Sequence, residues 1–85
     1  MNADDPIWER LVNVFRTVFQ DPFLQLNPRS DNNDIDGWDS LKHAILIDAI
    51  ENEFNISLSF DDILLMQSIE TIYLKIKEKK STDAD

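Results

Sequence analysis

Apolar residues recur at helical spacing along most of the chain, and no useful length of it alternates with period two. Trp8, Leu11, Val12, Phe15, Val18 and Phe19 share one face of a first helix. Asp5-Pro6 predicts its start, with Asp as N-cap and Pro at the first helical position, where a missing N–H costs nothing. Gln20-Asp21-Pro22 predicts its end, because the residue before a proline avoids the α region. Residues 21–39 then form a long connection rich in turn formers, among them Pro22, Asn27, Pro28, Asn32, Asn33 and Gly37. Phe23, Leu24, Leu26, Ile35 and Trp38 are its candidate pins to a core.

A second helix starts near Asp39-Ser40. Leu46, Ile47, Ile50 and Phe54 face its core side, Asp48, Glu51 and Asn52 face away, and Asn55 is a plausible stop. Ile56-Ser57-Leu58 is a short extended link. Ser59 to Asp62 reads as a capping box with Asp in place of Glu, opening a short helix through about Met66. Ser68 caps a last helix whose apolar residues are Ile69, Ile72, Tyr73 and Ile76, and whose Lys75, Lys77, Lys79 and Lys80 suit the negative end of the dipole. The pattern predicts an all-α fold, a small four-helix bundle with a long first loop and a short third helix. It forms a single domain over residues 1–80, with a fraying tail over 81–85.

Composition narrows the chemistry. The 85 residues contain no cysteine, one histidine and one glycine. That excludes a disulfide scaffold, a cysteine-ligated metal, a cysteine nucleophile and a glycine-rich phosphate loop. No apolar run suits a membrane span, and Met1 to Asp5 shows no signal-peptide pattern, so a cytoplasmic location is expected. The net charge of −9 disfavours nucleic acid and suits basic protein partners. Residues 1–74 hold 14 acids against 4 bases, so the acidity belongs to the folded body.

The informative stretch is Gly37-Trp38-Asp39-Ser40-Leu41 and the helix after it. Ser40 stands at the first turn of a helix, where free N–H groups and the dipole favour an anion, so a phosphate on its hydroxyl would be held there. Taken alone, Asp-Ser-Leu reads as a helix cap first, with Asp39 as N-cap; beside a modified serine, Asp39 would serve as N-cap or as a carboxylate next to the hydroxyl. Its place decides between these: after a long loop, at the head of a helix with Leu46, Ile47, Ile50 and Phe54, and before a short helix and an isoleucine-rich one. In this arrangement, over about residues 5–78, the chain resembles the acyl carrier protein family, most closely from Trp38 through Ile56.

The resemblance implies an acyl-carrier-protein-like bundle that is not an enzyme. It implies that Ser40 accepts 4′-phosphopantetheine from coenzyme A through a phosphopantetheinyl transferase that brings its own Mg²⁺. The thiol of that arm then carries an acyl or aminoacyl group as a thioester. The resemblance assigns Asp39 to engaging the transferase and positioning the hydroxyl, and Leu41, Asp48 and Glu51 to partner contact. Acyl- or aminoacyl-loading ligases and acyltransferase-type enzymes are the further partners, and the carrier is expected to be a monomer. No metal is expected. The acids also fit an ordinary solvated helix face.

Two positions depart from the fatty acid synthesis carriers. Lys42 stands where an acid usually follows Ser-Leu, and Ile45 where another acid is common. With Trp38 before the aspartate, the chain looks like a free-standing carrier of a dedicated pathway rather than a partner of the ordinary fatty acid synthase enzymes. Fatty acid, polyketide or nonribosomal peptide biosynthesis, polysaccharide modification and amino-acid activation are the candidates. Trp38 also suits a plug at the base of the second helix. Ile47, Ile50, Phe54, Leu58, Ile63, Met66, Ile69 and Ile72 either shelter a short acyl chain or form a filled core.

His43, three residues after Ser40, invites a Ser–His pair, but no orienting third group or oxyanion hole accompanies it, and a surface or partner-facing role is expected. Asn32-Asn33-Asp34-Ile35-Asp36-Gly37 resembles the start of an EF-hand loop, yet His43 falls where the bidentate Glu belongs and Asp39 where an apolar residue does. The alternative to a carrier is an acidic helical adaptor that binds a basic partner without modification.

Overall fold

The computed structural model describes residues 5–31 and 33–83. Among the described residues four helices follow one another: α1 over Pro6–Val18, α2 over Ser40–Phe54, α3 over Phe60–Leu65 and α4 over Ile69–Asp83. The α4 backbone thus continues into the segment expected to fray, whose last residues, 84 and 85, lie outside the described ones, as do the first four residues.

Each helix starts where a side chain or a carbonyl can take its unpaired amides. The Asp5 carboxylate accepts from Ile7 N–H, with Pro6 at the first position of α1. Asp39 caps α2 by accepting from Lys42 N–H at 2.8 Å. Ser59 and Asp62 form the reciprocal capping box of α3. At α4, Ser68 Oγ accepts from Thr71 N–H, while Ile69 and Glu70 N–H donate to the carbonyls of Ser30 and Pro28. The long α1–α2 loop therefore completes the start of α4, a job its turn-rich composition did not disclose.

The ends follow equally local rules. α1 stops at Val18, before the Pro22 barrier is reached. Gln20 turns left-handed at φ 55°, and Asp21 N–H and Gln20 N–H return to the carbonyls of Arg16 and Thr17, which is a Schellman closure. α2 closes on Asn55 at φ 54°, as its sequence predicts. Gly37, at φ +84°, takes the left-handed turn that delivers Trp38 into the core.

One core cluster joins the helices. Leu11, Val14 and Phe15 from α1 meet Leu46, Ile47, Ile50 and Phe54 from α2, and Met66, Ile69, Ile72, Tyr73 and Ile76 from the C-terminal part. The loop pins Ile35 and Trp38 are buried, and Leu24 and Leu26 are partly buried. Phe23 is not a pin: it is 82% exposed. Its N–H donates to the Asp21 carboxylate, and Leu24 N–H donates to the Asp21 carbonyl in the same turn. Arg16 Nε donates to the Leu24 carbonyl, so the loop is held at Leu24 and Phe23 is left outside.

Candidate functional site

The loop ends and α2 begins at one tightly specified turn. His43 N–H donates to the Asp39 carbonyl at 2.8 Å, closing the first helical bond, while the Asp39 side chain holds Lys42 N–H. Ser40 follows directly as the first helical residue, and it is exposed. Leu41, beside it, is 72% exposed although it is a large apolar residue. Ile45, one turn further along α2, is exposed as well, so the two side chains form a small outward apolar surface.

Behind this turn Trp38 does act as a plug. Its ring lies edge-on to Phe15 and Phe19, at centroid distances of 5.5 and 6.2 Å. His43 is not the surface histidine that its sequence position suggests. It is half-buried, stacked near Trp38, and its Nδ1 accepts from Trp38 Nε1–H at 3.0 Å. Its other nitrogen faces the Ile63 carbonyl at 3.5 Å. Periodicity could not reveal this bond, which joins a loop residue to a helix residue. A tryptophan five residues before a lone histidine was the only trace. A cavity of about 340 Å³ opens here, lined by Trp38, Asp39, Ser40, His43 and Gln67.

The expected contact residues separate along α2. Leu41, Ile45 and Asp48 are exposed and recur at i, i+4 and i+7, forming one outward ridge. Asp48 accepts loosely from Asn52 Nδ2. Glu51 is half-buried, and its carboxylate accepts from Leu58 N–H at 2.8 Å, so it ties the α2–α3 link to α2. Lys42 lies over the Phe19 ring, 5.8 Å from its centroid, on the α1 side. No acid stands between Asp39 and Asp48, and the carboxylate of Asp39 is committed to its cap.

The residues that could shelter an acyl chain belong to the core cluster, with Leu58 and Ile63 partly buried at its edge. A separate groove of about 380 Å³ lies between α1 and α2, floored by Val14, Val18 and Ala49, and shares none of them. In the EF-hand-like stretch, Asp34 accepts from Asp31 N–H and Asp31 from Asn33 N–H, both as local turn bonds. His43, at its far end, is turned to Trp38, and Asn32 lies outside the described residues. No group of three potential metal ligands is gathered among the described residues. No described helix is long and apolar enough to cross a membrane.

No family model and no curated protein matches the chain. Its fold does match a solved structure, the solution NMR structure of a holo acyl carrier protein from Geobacter metallireducens. The two are 28% identical, with a TM-score of 0.86, over 94% of this chain and 92% of that one.

Proposed function

We propose that the chain is a member of the acyl carrier protein family, and that it carries an acyl or aminoacyl group on 4′-phosphopantetheine attached to Ser40. It is a carrier rather than an enzyme. The observation that carries this reading is the turn itself: an exposed serine at the first position of α2, capped by Asp39, flanked by the outward Leu41 and bordered by a cavity. These residues fit the group, since a hydroxyl reached from solvent adjoins space for the start of an arm. The arm, once attached, supplies a thiol that holds the cargo as a thioester and raises its effective concentration at a docked enzyme.

The chain's own part in attachment is to present Oγ. An Oγ–P bond forms as the P–O bond to the nucleotide portion of coenzyme A breaks, and the hydroxyl proton passes to a base of the transferase. Asp39 fixes the turn, and Leu41 offers an apolar contact beside it. Loading ligases and acyltransferase-type enzymes of a dedicated pathway are the partners, met in the cytoplasm by a monomeric carrier. The ridge from Leu41 through Ile45, with Lys42 turned toward α1, supports partners other than those of ordinary fatty acid synthesis.

Incubation with coenzyme A and a broad-specificity phosphopantetheinyl transferase tests this by intact mass. One phosphopantetheine should be gained, and none in Ser40→Ala. No gain with several transferases would leave the unmodified adaptor as the better account. Asp39→Asn keeps a competent cap, so it separates recognition from folding. It should slow modification while helical circular dichroism stays unchanged, as should Leu41→Ala.

A further inference from the structure

The cavity beside Ser40 gathers an imidazole, an indole, a carboxylate and an amide in one place. Its histidine is unusually constrained. An indole N–H can only donate, so the 3.0 Å bond from Trp38 Nε1 makes Nδ1 of His43 the acceptor. A neutral ring then carries its proton on Nε2. That proton is poorly used: the Ile63 carbonyl stands 3.5 Å away, beyond the 2.7–3.2 Å of an ordinary N–H···O bond. The ring is clamped along one edge, by the bond and by stacking at 25° to the indole, and loosely engaged along the other.

Ser40 and His43 are three apart on α2, so their Cβ atoms are neighbours, about 5–6 Å apart on one side of the helix. The cations around them are turned to other tasks. Lys42 lies against Phe19, and Lys75 and Lys79 hold Asp62 on α3. Asp39, the carboxylate of the cavity, accepts from Lys42 N–H, and Gln67 Nε2 donates to the Leu64 carbonyl.

We propose that His43 is the internal ligand of the phosphodiester formed on Ser40. Its Nε2–H leaves the Ile63 carbonyl and donates to a non-bridging phosphate oxygen, while Trp38 keeps hold of Nδ1. The exchange rests on the carrier reading above and involves hydrogen bonds only. A phosphate oxygen is the stronger acceptor, because a hydrogen bond to an ionised group is shorter and roughly twice as strong as a neutral one. The exchange leaves the Ile63 carbonyl to Met66 N–H, from which it accepts at 3.2 Å, so modification reaches the last turn of α3.

Apo and holo protein labelled with ¹⁵N at histidine test this through long-range ¹H–¹⁵N correlations. The Nε2–H tautomer should hold in both forms, with Nε2 and its proton shifting on modification while the Trp38 indole N–H stays in place. The ³¹P resonance of the holo protein should move in His43→Leu and return toward the wild-type position in His43→Gln, whose amide nitrogen can stand near Nε2. The wild-type comparison needs no substitution, so a failure of His43→Leu to fold does not spoil it. A mass gain with unmoved imidazole signals would overturn this inference alone. Absence of any mass gain would overturn it together with the carrier reading.

Discussion

α4 and α3 sit side by side and are held by opposite means. α4 buries Ile69, Ile72, Tyr73 and Ile76, and all but Tyr73 are wholly inaccessible. α3 buries no residue at all, and Phe60, Leu64 and Leu65 point outward. What holds α3 is mostly polar. Asp62 accepts from Ser59 N–H in the capping box and pairs with Lys75 at 3.2 Å and Lys79 at 3.1 Å on α4. Only Ile63 of α3 packs against the core. Six residues cannot sustain a helix alone, since isolated helices shorter than about 12–15 residues are marginal in water. The body of the bundle is thus fixed by burial, whereas α3 is fixed mostly by a few directional contacts.

Removing burial from the body should have the largest effect. Ile72→Ala should cost about 2–5 kcal/mol, the range for an aliphatic side chain deleted from a filled core. Chemical denaturation followed by circular dichroism measures it. Small domains hold only about 5–15 kcal/mol in total, so the midpoint should fall sharply. A loss below about 1 kcal/mol would mean that α4 is not the hydrophobic anchor of the bundle.

The clamp on α3 should break more gently and in a different place. Ser59→Ala should cost about 1 kcal/mol, the usual worth of an N-cap, with amide exchange accelerating in α3 before it does in α2 or α4. Acid should act on the same region. The Asp62 carboxyl is held well below the usual carboxylate range, chiefly by the Ser59 N–H and then by Lys79. A depressed carboxyl stabilises the fold above its unfolded value, about 3.9, and that contribution is lost as pH falls below it toward the folded value. Exchange in α3 should therefore rise selectively in this acid window, and Asp62→Asn should remove the selectivity. Equal acceleration in all four helices would show that α3 has no separate anchor.

How much of this was legible in the sequence follows from how far each contact reaches. Caps were legible, because Asp5, Asp39, Ser59 and Ser68 act within three residues of themselves. The stop at Asn55 and the core face of α2 were legible for the same reason. The Asp-Ser-Leu turn was legible from its position between a loop and an amphipathic helix. Contacts between elements were not. Asp62 was readable as a capping residue, but not as the partner of Lys75 and Lys79, which were readable only as complements to a helix dipole. Nothing local marked Glu51 as a brace for Leu58, or the carbonyls of Pro28 and Ser30 as acceptors for α4. The helical pattern of α1 includes Val12, which is only half-buried, and leaves out Val14, which is buried. Helical periodicity gives a face to within a residue, and the partner helix decides its centre.

A smaller and pH-gated contribution ties the start of α1 to α4. Tyr73 donates its phenolic proton to the Asp5 carboxylate, and that bond, with burial, pushes the phenol up to about 12. A raised phenol stabilises the fold fully below its unfolded value, about 10, and loses that contribution as pH rises from there toward 12. Wild-type stability should decline across this alkaline interval by more than that of Tyr73→Phe, measured by denaturant midpoints at stepped pH. Parallel curves would remove the bond as a source of stability.

The smallest effect should come from the outward residues of α3, and its smallness sharpens the contrast with α4. Leu64 and Phe60 lie one turn apart on α3, 53% and 73% exposed. Burial stabilises in proportion to the area removed from water, and little of theirs is removed. Leu64→Gln should therefore change stability by no more than about 0.5 kcal/mol, the usual range for surface substitutions. Ile63→Ala, one residue away, should cost clearly more, because Ile63 is the α3 side chain that packs on the core. Equilibrium denaturation of the two variants gives the comparison directly. If Leu64→Gln matched Ile63→Ala, α3 would be held by an apolar face after all, and its polar clamp would be incidental. If the predicted order holds, the apolar cost of leaving Phe60, Leu64 and Leu65 in water has no compensation among the contacts of the described residues.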